Sequence, residues 1–401
     1  MTWPTMPLGT LAAFAMGQAP PGAETNTDGI GTPFYRSGEF GDLRPTTRIW
    51  TTKPLRMGKR DDVFICVVGA NSGEVNLGVN GAIGRSVAAI SPGDGLDQRF
   101  LYHLLTSLTD GLRKGAQGSA QGVITKRTLA EIPVPLPPLD EQRRVVDLLE
   151  DHLSRLDAAE TSVRDGLRRT ATLRKAHLRG TFDEEGAEMR PLLDVASIAN
   201  GQTPKGLADV LTSGPTDDAV PFFKVGDMNA ADGRWMNDAR FFVSRESAEH
   251  LGLHVRGAGT VLIPKRGGAI ATNKKRILAS AAAYDLNTMG LVPNDSLDSS
   301  YLWHWLQTVD LGRIADGSNV PQINATQIRE LRLPVPDLQT QVAAARRLDE
   351  IDESLSRLAV ELESVRLRGR GLRRALLSAA FSGRLIGAES DLSSAEEMIN
   401  A

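Results

Sequence analysis

GSAQGVITKRTLAEIPVPLPPLDEQ, residues 118–142, and GSNVPQINATQIRELRLPVPDLQTQ, residues 317–341, are two copies of one passage, 199 residues apart. The same shift carries LRKAHLRGTF (173–182) onto LRRALLSAAF (372–381). Upstream, PLGTLAAFAMGQAPPG from Pro7 aligns with PLLDVASIANGQTPKG from Pro191. Pro33-Phe34-Tyr35-Arg36 with Gly38-Glu39 corresponds to Pro221-Phe222-Phe223-Lys224 with Gly226-Asp227, and FLYHLL from Phe100 to YLWHWL from Tyr301. Five such pairs in one order mean that the chain is a duplication. Each copy is a globular part of mixed composition, then a proline-rich connector, then a long helix. The copies are far longer than a solenoid repeat, so pseudo-twofold duplication is the expected architecture.

Bulk properties bound the function classes. At 401 residues the chain has room for two or three domains with cores of their own. Its 41% hydrophobic and 24% charged residues are those of an ordinary globular protein. No apolar run approaches the roughly 20 residues of a membrane span. The opening MTWPTMPLGTLAAFAMGQ lacks a basic n-region, so no signal peptide is expected. Cys66 is the only cysteine, which excludes an internal disulfide framework and fits a reducing, cytoplasmic setting. The net charge of −3 argues against coating nucleic acid through bulk positive charge, while leaving room for a local basic surface.

IPVPLPP and LPVP forbid helix, because proline removes a donor and pushes its predecessor extended. Helix should begin just after, where Asp140 and Glu141, or Asp337, suit the positive end. In the second copy Leu348, Ile351, Leu355, Leu358, Leu362, Val365, Gly369, Leu372, Leu376 and Ala379 follow a 3,4 spacing, a heptad seam. The first copy keeps that register less cleanly through Leu149, His152, Leu156, Ala159, Val163, Gly166, Thr170, Leu173 and His177. Each helix should run about 40 residues, roughly 60 Å.

The first halves of these helices are mainly acidic (Asp147, Glu150, Asp151; Asp349, Glu350, Asp352, Glu353) and the second halves mainly basic (Arg164, Arg168, Arg169, Arg174, Lys175; Arg366, Arg368, Arg370, Arg373, Arg374). Antiparallel pairing sets acid against base, whereas parallel pairing sets like against like. Two other readings stay open: each helix complements its own macrodipole, or the arginines face DNA phosphate. Antiparallel helices would place the two globular parts at opposite ends, a geometry that suits a split target with a spacer.

PLPPLDEQRRVV followed by a helix ending LRKAHLRGTF, and PVPDLQTQ running on to LRRALLSAAFSGRL, resemble the helical regions of type I restriction–modification specificity subunits. MGQAPPG, NGQTPKG and PFFKVGDM resemble the starts of that family's target recognition domains. So do the apolar strands VFICVVG and VLIPKRG with their glycine-rich turns. The departures are modest: Asp337 and Thr340 stand where the first copy has Pro138 and Glu141.

The resemblance implies a mixed α/β fold with α+β recognition domains, joined by two long helices as a pseudo-twofold antiparallel coiled coil. Recognition domains are expected over 1–135 and 187–336, helical spacers over 136–186 and 337–387, and a flexible tail over 388–401. It further implies double-stranded DNA as ligand and a bipartite target. The implied partners are two methyltransferase subunits and restriction (translocase) subunits. S-adenosylmethionine, ATP and Mg would sit on those partners, with no cofactor or metal on this chain.

No engine is visible in the residues themselves. A cofactor-binding glycine motif and an Asn/Asp-Pro-Pro-aromatic loop are both absent from the sequence. GANSGEVNLGVNGAIG (69–84) lacks the Gly-Lys-Ser/Thr ending of a P-loop and is better taken as turns between strands. His250 and His254 could share a helix face, but Gly252 lies between them and no third ligand is evident. His103 and His304 repeat, which favours packing over catalysis, and Cys66 in an apolar strand is expected to be inert.

The candidates for DNA contact are basic. They are Lys53, Arg56, Lys59, Arg60 and Arg85 in the first copy, and Lys265, Arg266, Lys274, Lys275 and Arg276 in the second. Arg36 and Lys224 repeat and so suit backbone contact or structure rather than sequence discrimination; Gln18 and Gln202 repeat in a GQ-x-P context that suggests turns or caps. An unrecognised nuclease or methyltransferase, and an adaptor that never touches DNA, are the rival readings; a milder variant is a DNA-reading specificity subunit of another methylation-based defence system.

Overall fold

A computed structural model describes residues 3–117, 123–183, 188–215, 218–231 and 233–385; the tail expected over 388–401 lies outside them. The chain divides into two compact units, Met1–Arg164 with Glu363–Ala401, and Asp165–Leu362. This division crosses both long helices. Each unit holds one recognition head, the start of its own spacer helix and the end of the other copy's.

In the first head, strands Ala12–Met16, Val87–Pro92, Val63–Cys66 and Val75–Leu77 form an antiparallel sheet in that order. The second head repeats it with Ala196–Asn200, Thr288–Pro293, Val261–Pro264 and Arg276–Leu278, and adds Trp235–Met236 in parallel. The runs VFIC and VLIP are apolar throughout because both faces of these strands are covered. Val63 and Ile65 face the head helix Gln98–Gln117, while Phe64 turns to the opposite cluster with Tyr35 and Ile83. Val261 and Ile263 against Leu262 repeat this division.

The matched PFY and PFF motifs lie on strands Thr32–Tyr35 and Ala219–Phe223. They run parallel to Gly81–Ile83 and Ala283–Tyr284 respectively. The proline connectors become short strands, Pro133–Pro135 and Arg332–Pro334, paired antiparallel to Thr5–Pro7 and Met189–Pro191, which closes each head onto its own beginning.

Both spacer helices are 44 residues long, Leu139–Phe182 and Leu338–Phe381. That corresponds to about 66 Å. Asp337 caps the second through Thr340 N–H at 3.0 Å, a bond that Pro138 cannot supply in the first. Within the second unit Leu362 packs on Gly166, and Arg174 grips Asp352 at 2.9 and 2.8 Å, so the helix segments run antiparallel. In the first unit Arg373 pairs with Asp157, while Leu149, Leu153, Leu377 and Ala380 share one core. Acid therefore meets base across the pair.

The seam differs from the expected one. Leu149, Val163 and Leu348 are buried, and Leu156, Ile351, Leu355, Leu362, Leu372 and Leu376 are half-buried. Leu173, Leu358 and Val365, however, are 48%, 43% and 46% exposed. On the second helix the covered row runs through residues 352, 355, 359, 362, 366, 369, 373, 376 and 380. This is also a 3,4 repeat and shares Leu355, Leu362, Gly369 and Leu376 with the expected one, but it takes the other flank. Small Ala359 and the stems of Arg366 and Arg373, whose heads reach Glu363 and Asp157, fill that flank. On the first helix the row passes from Thr170 to Leu178 and Phe182, leaving Leu173 outside.

The final phenylalanine of each helix motif has a packing role. Phe381 meets Phe100 and Phe182 meets Tyr301, both edge-on at 5.1 Å between ring centroids.

Candidate nucleic-acid interface

The two heads present one backbone frame at the turn that follows Val63–Cys66 and Val261–Pro264. Val67 and Lys265 each accept a hydrogen bond, from Ile124 and Ile323 N–H, both at 2.9 Å. Val68 then bridges Val123, and Arg266 bridges Gln322. Gly69 and Gly267 follow at φ 90° and 69°, in the left-handed region that favours glycine. Hydrogen bonding fixes the backbone, so the side chains there are free to differ. The first head places Val68 at this exposed position; the second places Arg266, beside Lys265 whose Nζ donates to Asn200 Oδ1 at 2.9 Å.

The five basic candidates of the first head are all exposed. Lys53 and Arg56 lie between strands Trp50–Thr51 and Met57–Gly58, Lys59 and Arg60 follow, and Arg85 leaves strand Gly81–Ile83. Pairing of Met57–Gly58 with Gly81–Ile83 brings these loops side by side, with Ile83 N–H bonded to Arg56 O at 2.8 Å. Repulsion among clustered cations is relieved when phosphate oxygens approach.

Two of the second head's candidates are structural instead. Lys275 is 1% exposed and its Nζ donates to Val309 O at 2.7 Å and Asn273 Oδ1 at 2.8 Å; burial lowers its pKa to about 8. Arg276 is buried and donates to Lys275 O at 3.0 Å. It occupies the ladder position of Asn76, which ties the backbone of Gly41 from the first head's sheet. Lys265 and Lys274 are half-buried, and Arg266 is exposed. Charge counting alone could not separate these residues, because the Lys-Lys-Arg run enters a strand end.

Other repeated residues also have internal roles. Gly17 and Gly201 admit no side chain, since a Cβ would come within 2.1 Å of Gly84 O and 2.0 Å of Asp285 O. Gln18 and Gln202 N–H then bond Ile83 O and Tyr284 O. Arg36 and Lys224 N–H donate to the buried carboxylates of Glu39 and Asp227 at 3.0 and 2.7 Å. The 69–84 stretch forms turns and strands, with Gly73 N–H bonded to Cys66 O. His250 ends helix Arg245–His250 and Gly252 turns away at φ 62°, so His250 and His254 share no helix face. Burial pushes the Cys66 thiol up.

Sequence reasoning missed the pins that hold each head on its spacer helix. Gln142, fully buried, accepts from Asp97 N–H at 2.8 Å and donates to Gly95 O and Pro137 O. Gln341 repeats this with Asp298 N–H at 2.9 Å, Ser296 O and Pro336 O. The repeated final Gln of DEQ and QTQ was the available signal. His103 Nε2 lies 2.9 Å from Glu150 Oε1, a carboxylate that Arg99 also binds. His304 Nε2 lies 2.8 Å from Asp349 Oδ1, and Arg234 donates to the same carboxylate. Burial, then the charge of Arg99, brings the His103 pKa down to about 4. Burial likewise lowers His304, although Asp349 pulls the other way. For Asp349 burial works upward, but Arg234 and His304 more than offset it.

The DNA specificity domain of type I restriction–modification systems matches residues 1–165 and again 184–364. The chain belongs to that family. One relative, a putative type I restriction enzyme MjaX specificity subunit from Methanocaldococcus jannaschii, is 34% identical over 153 residues, 37% of this chain and 36% of its own length. A second from that organism, the MjaVIII specificity subunit, is 20% identical over 322 residues, 76% of this chain and 75% of its own. A solved chain from work on assembly and conformational transition of the type I R-M system superposes with a TM-score of 0.77. It is 20% identical, covers 96% of this chain and 98% of its own, and so shares the fold. No helix among the described residues is long and apolar enough to cross a membrane.

Proposed function

We propose that this specificity chain reads a split DNA sequence, one half with each head, and directs partner methyltransferase subunits to it. The observation that carries the reading is the shared backbone frame with unlike exposed side chains, Val68 in one head and Arg266 in the other. A duplicated frame with divergent exposed residues suits two different half-sites. The basic loops holding Lys53, Arg56, Lys59, Arg60 and Arg85, with Lys265, Arg266 and Lys274, supply phosphate and base contacts. S-adenosylmethionine, ATP and Mg belong to the partner subunits, and restriction subunits join the full assembly in the cytoplasm. This chain performs no chemical step in the proposal; it positions DNA.

The test is methylome sequencing of a host carrying this chain and its methyltransferase, against deletion of this chain alone. Loss of methylation at one split motif is the expected result. Unchanged methylation, with the partner active, would favour the adaptor reading. Purified chain that modified or cut DNA unaided would favour an enzyme.

A further inference from the structure

We propose that the two histidine–carboxylate clasps, His103–Glu150 and His304–Asp349, are positioning devices that fix the angle of each head on the spacer-helix segment in its own unit. They would thereby set the half-site spacing that the chain accepts. The proposal rests on the split-site reading above.

Three observations carry it. The clasp occurs twice, at repeat-equivalent places, with nearly the same geometry of 2.9 and 2.8 Å. In both, a head histidine and a head arginine converge on one carboxylate of the spacer helix: Arg99 and His103 on Glu150, Arg234 and His304 on Asp349. The Arg99–Glu150 and Arg234–Asp349 pairs are charge-assisted, and such pairs hold direction as well as distance. Apolar packing between the same elements is tolerant of small rotations, whereas a hydrogen bond at a buried imidazole is not.

The second clasp reaches further. Arg234 comes from the segment leading into strand Trp235–Met236, and its guanidinium lies 5.2 Å from the Trp235 ring and 5.4 Å from that of Trp303. One turn along the spacer helix, Asp352 takes Arg174 from the other long helix. The head sheet, the helix Ser299–Leu306 that carries His304, and both long-helix segments of this unit therefore meet along one row of charges. His304 is wholly buried and its Nδ1 has no partner among the described residues, so the ring is held only through Nε2. Nothing in simple packing requires a polar ring there. A bond that selects one orientation explains it.

The test uses the intact chain with its methyltransferase and a plasmid library of the split motif with native, shortened and lengthened spacers. Asp349→Asn keeps the shape of the side chain and weakens the clasp. It is expected to cut the preference for native over altered spacing roughly tenfold, with base preference within each half-site unchanged. His304→Gln retains an N–H that can reach Asp349 and should keep most of the preference. Glu150→Gln, at the carboxylate of the first clasp, tests that clasp should Asp349→Asn fail to fold. Folded variants that keep wild-type spacing preference would overturn the clasp proposal alone. A wild-type chain with no split motif at all would overturn the split-site reading, and the clasp proposal with it.

Discussion

The turn after Val63–Cys66 and the turn after Val261–Pro264 have one backbone and two chemistries. In both, a carbonyl accepts from the element arriving beneath it, an isolated bridge follows, and a left-handed glycine turns the chain. Yet the pair before the glycine is Val67-Val68 in one head and Lys265-Arg266 in the other. Main-chain hydrogen bonds are indifferent to side chains, so duplication preserves the frame while each head is free to acquire its own exposed residues. The comparison also shows where freedom ends: the buried ladder partners Asn76 and Arg276 differ in type and still do the same work of tying in a neighbouring segment.

The frame is the easiest part of this comparison to break. Gly17→Val and Gly201→Val each force a side chain into a backbone carbonyl, and each should cost about 3 kcal/mol or more. Thermal unfolding with limited proteolysis would show the damaged head opening first. If one glycine tolerated valine, the two frames would not be equivalent.

Acid separates the clasps from that frame. With His103 at about 4 when folded and near 6.5 when unfolded, the unfolded chain binds more protons between those values. The stability that His103 contributes is therefore complete above about pH 6.5 and is lost as pH drops toward 4, about 3 kcal/mol for this group. His103→Gln should flatten this slope in melting curves taken from pH 4 to 7. An unchanged slope would place the acid sensitivity elsewhere.

The glutamine pins sharpen the equivalence. Gln142→Leu and Gln341→Leu each strand a buried N–H and two carbonyls, at about 2 kcal/mol apiece. Near-equal losses in melting temperature are expected; a twofold disparity would mean that one head relies less on its pin.

The divergent turn should respond on one side only. Arg266→Ala is expected to weaken binding by about 1–3 kcal/mol, with relaxed preference confined to one half-site. Val68→Ala should change affinity less than about twofold, since it removes no charge or donor. Competition binding with each half-site varied separately decides this, and equal effects in both half-sites would break the assignment of one turn to one half.

Much of this was legible in sequence. The duplication, the proline-stopped helices and the strands VFIC and VLIP all follow from local pattern, because steric and burial rules act on neighbouring residues. The candidate interface was legible only as charge. Lys275 and Arg276 stand in the same run as Lys274, and whether a lysine faces water or the Val309 carbonyl depends on contacts 34 residues away. The pins were hidden for a related reason. A buried glutamine and a surface one look alike until the proline turn folds back over them.

The seam is where pattern misled, and it yields the smallest effect. A 3,4 repeat has two flanks around a shared line, and leucine and valine at 358 and 365 pointed to a flank along which the structure leaves those two side chains exposed. Burial at the other flank relies on small residues and arginine stems, which hydrophobic periodicity does not score. Leu358→Ala and Leu173→Ala should therefore shift stability by less than about 0.5 kcal/mol, as surface changes do. Leu362→Ala, which removes the side chain resting on Gly166, should cost more than either. Paired melting curves of these variants test the row directly. A loss at Leu358 as large as that at Leu362, which lies on both rows, would return the seam to the flank that the leucines suggested.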